Sequence, residues 1–384
     1  MLKTKTLLYG HQDFVRSLAV CPNKHTTISG SNDHTIRTWD HVRGFCDRVL
    51  MGHDSTINSL SVMNNNNLII SGGADHTVRI WDTRNPIGSE CVHMVSHVSD
   101  VHDVTCWNDL NTTSDENYKF GNEFVIYSVG QDMKLNIWDL RKMSSSSSTQ
   151  HSNVNSFGFS NDHFHYSNSV MSGQQHSFGN TNNYYGIGSS FGVMTNDTSK
   201  QSKVSSISTN FGTPFCCQVG ILNHEQVIFV GAKNGILQAL SLNEENNSYQ
   251  VLKSYEGHCG DVSCLSFNVE NSTLISGDSG NMVHVFNIYQ ETPLQTLKDH
   301  SDSITCCQIL GNSIFTGSKD GTIREYEFCS NNDDDSSSQQ LQCSPKRCLE
   351  RLSMQVFSIA VGRNRLLFCG SDEEPVRCWD VSSS

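Results

Sequence analysis

The chain has 384 residues, 26 Lys or Arg against 39 Asp or Glu, and a formal charge of −13. That balance argues against binding nucleic acid through bulk electrostatics. Lys346, Arg347, Arg351, Arg363, Arg365 and Arg377 gather near the C-terminus and read as solvated loop charge. No run approaches about 18 apolar residues, so no membrane span is expected, and MLKTKTLLYGHQD lacks the apolar region of a signal peptide. Fifteen cysteines without a C-x-x-C pair read as free thiols, with Cys21, Cys106, Cys264 and Cys306 in strand-like runs. A reducing cytoplasm or nucleus is expected, not secretion.

In chain order, Leu2–Tyr9 is a strand without a unit of its own. A unit then runs from Gly10-His11 through Val15–Val20 and Thr27-Ile28-Ser29-Gly30 to Trp39-Asp40. The next runs from Gly52-His53 to Trp81-Asp82, and its stretch LIISGGADHTVRIWDTR, Leu68–Arg84, reads as strand, polar turn, strand. The third opens at Ser96-His97 and closes on Trp138-Asp139, with extra polar residues near Asn108–Asn122. The fourth lacks the histidine but keeps the strand order in Phe215–Leu222, Val227–Gly231 and Gly235–Leu242. The fifth runs from Gly257-His258 to Phe286-Asn287 and the sixth from Asp299-His300 to Tyr326-Glu327. The seventh, also without histidine, reads Val356–Val361, Leu366–Gly370 and Val376–Asp380.

Seven copies of one order, with the same His-to-Trp interval in His11/Trp39 and His53/Trp81, are an internal repeat. The pattern resembles WD-repeat (WD40) β-propellers. It implies an all-β, seven-bladed propeller, monomeric, with Leu2–Tyr9 completing blade seven and closing the ring. Closure removes two exposed sheet edges. Residues 1–142 then carry the closing strand and blades one to three, and 202–384 the end of blade three and blades four to seven. Residues 143–201, rich in Ser, Asn and Gly, form an insert that buries too little apolar surface to order, so disorder is expected. Lys203–Thr209 supplies the fourth strand of blade three. Asn64–Asn67, Asn108–Asn122, the insert and Ser330–Pro345 project from one face, and the opposite face has short connections.

His11, Ser29, Asp33 and Trp39 recur as His53, Ser71, Asp75 and Trp81, and as His97, Ser128, Asp132 and Trp138. A threefold recurrence, with Ser inside a strand, excludes a catalytic triad. The resemblance implies a buried hydrogen-bond network in each blade. Gly280 and Phe286 in unit five, Tyr326 in six and Glu373 in seven break the pattern, so those blades should be looser. No catalytic residue, cofactor or metal site is expected. His151, His163, His165 and His176 in the insert lack a fixed ligand spacing, and no phosphate-loop or hydrolase motif occurs.

The resemblance implies a non-enzymatic scaffold that binds other proteins. Two surfaces stand out. Trp81-Asp82-Thr83-Arg84 and Trp138-Asp139-Leu140-Arg141 look like the tandem W-D-x-R boxes of substrate receptors for cullin-RING ubiquitin ligases. In that reading Arg84 and Arg141 dock on the ligase adaptor from the long-looped face. On the short-looped face, Phe14, Thr56, Asp100, Asp261, Ser303 and Gln355 precede each first-strand Val or Ile and are expected to be exposed. Arg16, Asn58, His102, Ser263, Thr305 and Phe357 follow it and point to the channel mouth. Phe14, Arg16, Asn58, His102 and Phe357 are the candidate partner-binding residues there. An enzyme at the channel mouth is the remaining alternative, and no motif supports it.

Overall fold

A computed structural model of the chain describes residues 4–21, 24–63, 67–106, 124–143, 203–209, 212–223, 225–243, 248–329, 342–362, 365–372, 375–382. The strands form seven four-stranded antiparallel sheets. Six are built from consecutive strands, and the seventh has the order Thr4–Leu8, Val376–Asp380, Leu366–Ser371, Val356–Val361. The N-terminal strand therefore closes the ring, pairing Leu8 with Val376 and Leu7 with Arg377. Most of the insert, the segment from 107 to 123, Ser330 to Leu341, and Glu373 lie outside the described residues.

The strands differ by their place in a blade. Second strands such as Val125–Gly130 and Thr273–Asp278 are buried along their whole length. They read as continuous apolar runs because neighbouring blades cover both faces. Fourth strands such as Ser248–Tyr255 are largely exposed. Apolar clusters join adjacent blades: Trp81 packs with Ile28, Ile36 and Ile57, and Trp39 packs across the closing seam with Phe368, Val376 and Leu8. The glycine ending each Ser-Gly pair permits this contact. A Cβ on Gly72 would lie 2.6 Å from Val101 Cγ1 of the next blade, and one on Gly370 would lie 2.7 Å from Val15 Cγ1 across the seam.

Lys203–Ser208 is the fourth strand of blade three, as its sequence suggests. The polar loop of blade six ends earlier than expected. The last strand begins at Gln342, and Pro345 sits within it opposite Tyr326. An outermost strand tolerates proline because its outer N–H groups need no partner. Three of the C-terminal basic residues are not simply solvated loop charge. Lys346 and Arg347 lie on this strand, and with Arg365 they surround the fully buried Glu325 carboxylate, Arg347 Nε at 2.6 Å.

Candidate functional site: the mouth of the central channel

Each blade's first strand carries the same irregularity. Its register against the second strand slips at the second residue, between Val15 and Ser17 in blade one and at the matching place in the other six. A bulge adds one residue to one strand and re-aims its side chain. The seven bulged residues are Arg16, Asn58, His102, Phe215, Ser263, Thr305 and Phe357, and all seven line a central cavity of about 760 Å³.

Four of them tie one blade to the next. Asn58 Nδ2 donates to Val101 O at 2.8 Å, Ser263 Oγ to Ile304 O at 2.5 Å and Thr305 Oγ1 to Val356 O at 2.6 Å. His102 Nδ1 lies 2.9 Å from Pro214 O. Asn58 and His102 thus have a structural partner of their own. Phe357, Arg16 and Phe215 depart from this ring of bonds. Phe357 stacks on Phe14 with ring centroids 5.9 Å apart, and Arg16 Cζ lies 4.6 Å from the centre of the Phe357 ring. Arg16 Nε also donates to Asn32 Oδ1 at 3.0 Å. Phe215 stacks on His102 at 5.2 Å. Phe14 is 38 % exposed, whereas Thr56, Asp100, Asp261 and Ser303 are half-buried rather than exposed; Gln355 is exposed. Phe215 was missed in the sequence because blade four lacks the Gly-His that marks the others, and its first strand opens on Pro214.

Deeper in the channel, burial pushes the Asp103 carboxyl up to about 6. A shifted acid in a cavity invites a catalytic reading. The geometry gives it another use: Asp103 accepts hydrogen bonds from Ser59 Oγ at 2.5 Å, Val104 N at 2.9 Å and Cys217 N at 2.8 Å, which joins blades two, three and four. Burial likewise holds the Cys216, Cys217, Cys306 and Cys307 thiols well above their ordinary range, which leaves them poor nucleophiles.

The blade networks are present. In blade two Trp81 Nε1 donates to Ser71 Oγ at 2.8 Å, His53 Nε2 lies 2.6 Å from the same oxygen, and His53 Nδ1 lies 2.7 Å from Asp75 Oδ2. Blade one repeats this with His11, Ser29, Asp33 and Trp39 at 2.6 to 2.8 Å. Burial raises the Asp33 and Asp75 carboxyls, but the histidine and threonine bonds outweigh it and hold both well below the carboxylate range. Blade three keeps Trp138, Ser128 and His97, but His97 Nδ1 stands 3.4 Å from Asp132.

One sequence expectation needs correction here. Blade five is not without its carboxylate: Asp278, two residues before Gly280, lies 2.9 Å from His258 Nδ1, and Ser276 lies 2.6 Å from Nε2. Blade six is complete apart from its ring, with His300 between Thr316 at 2.8 Å and Asp320 at 3.1 Å. In blade seven Cys369 takes the serine register opposite Arg377, and buried Trp379 Nε1 has no hydrogen-bond partner among the described residues. Among the described residues, three metal-capable side chains meet at one place, His258, Asp278 and His284.

On the opposite face Arg84 forks onto Asp82, Nε to Oδ1 at 2.9 Å and Nη2 to Oδ2 at 2.6 Å. Arg141 does the same with Asp139 at 2.9 and 2.8 Å. Both arginine side chains remain 52 % exposed. Among the described residues, no helix is long and apolar enough to cross a membrane.

Comparison with known proteins agrees with this architecture. The family described as WD domain, G-beta repeat matches residues 2–40, 44–82, 249–287 and 291–327. The chain is 26% identical over 152 residues to Mitochondrial division protein 1 of Schizosaccharomyces pombe, covering 37% of this chain and 23% of the relative. It is 36% identical over 69 residues to the Serine-threonine kinase receptor-associated protein of Dictyostelium discoideum, covering 17% and 24%. It is 26% identical over 122 residues to Protein NEDD1 of Homo sapiens, covering 31% and 17%. The chain thus spans less than a quarter of each relative's length. Four matched repeats, these relatives, and seven blades, five of them carrying a His–Ser/Thr–Asp network, make the chain a WD-repeat β-propeller.

Proposed function

We propose that the protein is a non-enzymatic scaffold that grips a partner protein at the channel mouth, on the patch formed by Phe14, Arg16, Phe215 and Phe357. The observation that carries this is the break in the ring of inter-blade bonds. Four bulged residues serve the fold; the other three bring aromatic faces and a guanidinium to the same opening. Aromatic and Arg side chains dominate binding energy at interfaces. A patch held by seven closed blades is ordered before the partner arrives, so little ordering entropy is lost on binding. WD-repeat proteins bind other proteins, and one relative is named for its association with a receptor. A photo-crosslinking residue at position 14 should trap a partner that the same residue at exposed Val42, in the turn between the third and fourth strands, does not. Equal trapping at both positions sinks the reading.

A second reading, docking on a cullin-RING ligase adaptor through the opposite face, rests on Arg84 and Arg141. Their carboxylate forks fix two half-exposed guanidinium groups at matching places in successive blades.

A further inference from the structure

We propose that blade five holds a divalent metal ion of the zinc type between His258 Nδ1, Asp278 and His284 Nε2. This inference is independent of partner binding at the channel mouth.

The three ligand atoms lie within 4.8 Å of one another. Asp278 Oδ2 stands 2.9 Å from His258 Nδ1 and 4.0 Å from His284 Nε2. Zinc bound to nitrogen and oxygen at about 2.0–2.2 Å in a tetrahedron needs ligand atoms roughly 3.3 Å apart. Shifts of under about an ångström would bring the pairs to that spacing. His284 is 2 % exposed, and its Nε2 has no hydrogen-bond partner. A buried nitrogen aimed at a carboxylate beyond hydrogen-bond reach leaves a polar atom unsatisfied, which a cation between them would correct.

Two departures from the other blades make the site. The first is charge. His284 stands opposite Ser276, the register held by Arg37, Arg79 and Arg324 in blades one, two and six. In blade two the Arg79 guanidinium lies 3.5 Å from the network carboxylate Asp75. Blade five has an imidazole there in place of the guanidinium. The carboxylate of Asp278, fully buried, lacks the permanent cation its counterpart has.

The second is proton direction. In blades one to three tryptophan N–H donates to the serine oxygen, so the serine hydrogen turns to histidine Nε2, and Nδ1 carries the proton toward Asp. Phe286 replaces that tryptophan and donates nothing. Ser276 Oγ can therefore accept from His258 Nε2–H, at 2.6 Å, which leaves the Nδ1 lone pair for a metal. Thr296 Oγ1, 3.0 Å from His284 Nδ1, can accept from it and fix Nε2 as the ligand atom. Asp278 Oδ1 accepts from Gly280 N and Met282 N, leaving Oδ2 toward the histidines. A Cβ on Gly257, exposed and with φ +122°, would lie 3.4 Å from His284 Cε1, so the chain passes close to the ring here. Imidazole and carboxylate together suit zinc and its first-row neighbours.

The test loads the full chain, stripped with a chelator, with Zn²⁺ and separately with Co²⁺. One tightly held equivalent is expected, with cobalt d–d bands of a tetrahedral nitrogen and oxygen site and no thiolate charge-transfer band. His284→Asn, which copies Asn136 of blade three, should fold and lose the ion. Thr296→Val keeps all three ligands and should weaken binding about 10–100-fold, which keeps the test decisive if His284→Asn fails to fold. No stoichiometric metal in the wild type overturns the proposal. So does undiminished binding in both variants, or a spectrum dominated by thiolate.

Discussion

Phe14 and Phe357 stack across the seam where the last blade meets the first, their ring planes 28° apart, with Arg16 over the Phe357 face. The stack belongs to the opening rather than the core, since Phe14 is 38 % exposed. Such a pair contributes about 0.5–1.5 kcal/mol beyond its buried area. Phe14→Ala with Phe357→Ala should therefore lower stability modestly, by roughly 1–3 kcal/mol. Affinity for a partner crosslinked at position 14 should fall at least about tenfold, as for an interface hot spot. Titration of that purified partner against both forms checks it; equal affinity places the binding site elsewhere.

Ser71 joins Trp81 Nε1 and His53 Nε2, whereas Ser276 meets His258 without a tryptophan donor. Ser71→Ala leaves two buried polar groups unpaired and should cost about 2–6 kcal/mol, each group contributing roughly 1–3. Ser276→Ala leaves one and should cost about half as much. Urea unfolding of the metal-free forms measures both. Equal losses would mean that the tryptophan bond adds nothing.

Blade count and ring closure were legible because Gly-His, Ser-Gly and Trp-Asp recur at fixed intervals, and Leu2–Tyr9 had no unit of its own. The site was legible in part. Phe14, Arg16 and Phe357 follow from their place beside a first-strand Val. The bulge that turns the second residue inward leaves no mark in an alternating pattern, so the bonds that occupy Asn58 and His102 could not be foreseen. Asp278 was hidden for a similar reason. A carboxylate two residues after Ser276 reaches the same histidine as one four residues after Ser71, because distance in space, not register, decides the bond.

Acid should weaken the network blades. Burial raises the carboxyls of Asp33, Asp75 and Asp320, but bonds from histidine, threonine and backbone N–H outweigh it, so all three lie below their unfolded values. The unfolded chain then binds more protons near pH 4, and stability falls as pH drops from there through the folded values. Partial exposure and solvent screening limit each contribution to on the order of 1 kcal/mol. Asp103 acts in the opposite sense: with a folded pKa of about 6 it favours the folded state as pH falls from about 6 toward 4. Urea midpoints between pH 7 and pH 3 should show Asp75→Asn flattening the loss below pH 4. Asp103→Asn should remove the gain between pH 6 and 4. Unchanged profiles in both variants would contradict the assignment.

The arginine forks on the other face require a test that separates docking from folding. Asp82 is 1 % exposed, and Arg84 is its cationic partner, so Arg84→Ala leaves a buried carboxylate without its counter-charge. That should cost about 1–3 kcal/mol on its own. Loss of an adaptor from such a variant would then report a disturbed blade as readily as a lost contact. Arg84→Lys with Arg141→Lys keeps a positive charge beside each carboxylate but removes the planar fork and its outward N–H groups. Stability should then stay within about 1 kcal/mol of wild type, the scale of an exposed ion pair. If this face docks on a cullin-RING ligase adaptor, recovery of the adaptor should still fall at least about tenfold, the loss of roughly one charge-assisted hydrogen bond. Adaptor recovered equally by the lysine variant, or not at all by the wild type, removes the ligase reading and leaves the channel mouth as the functional face.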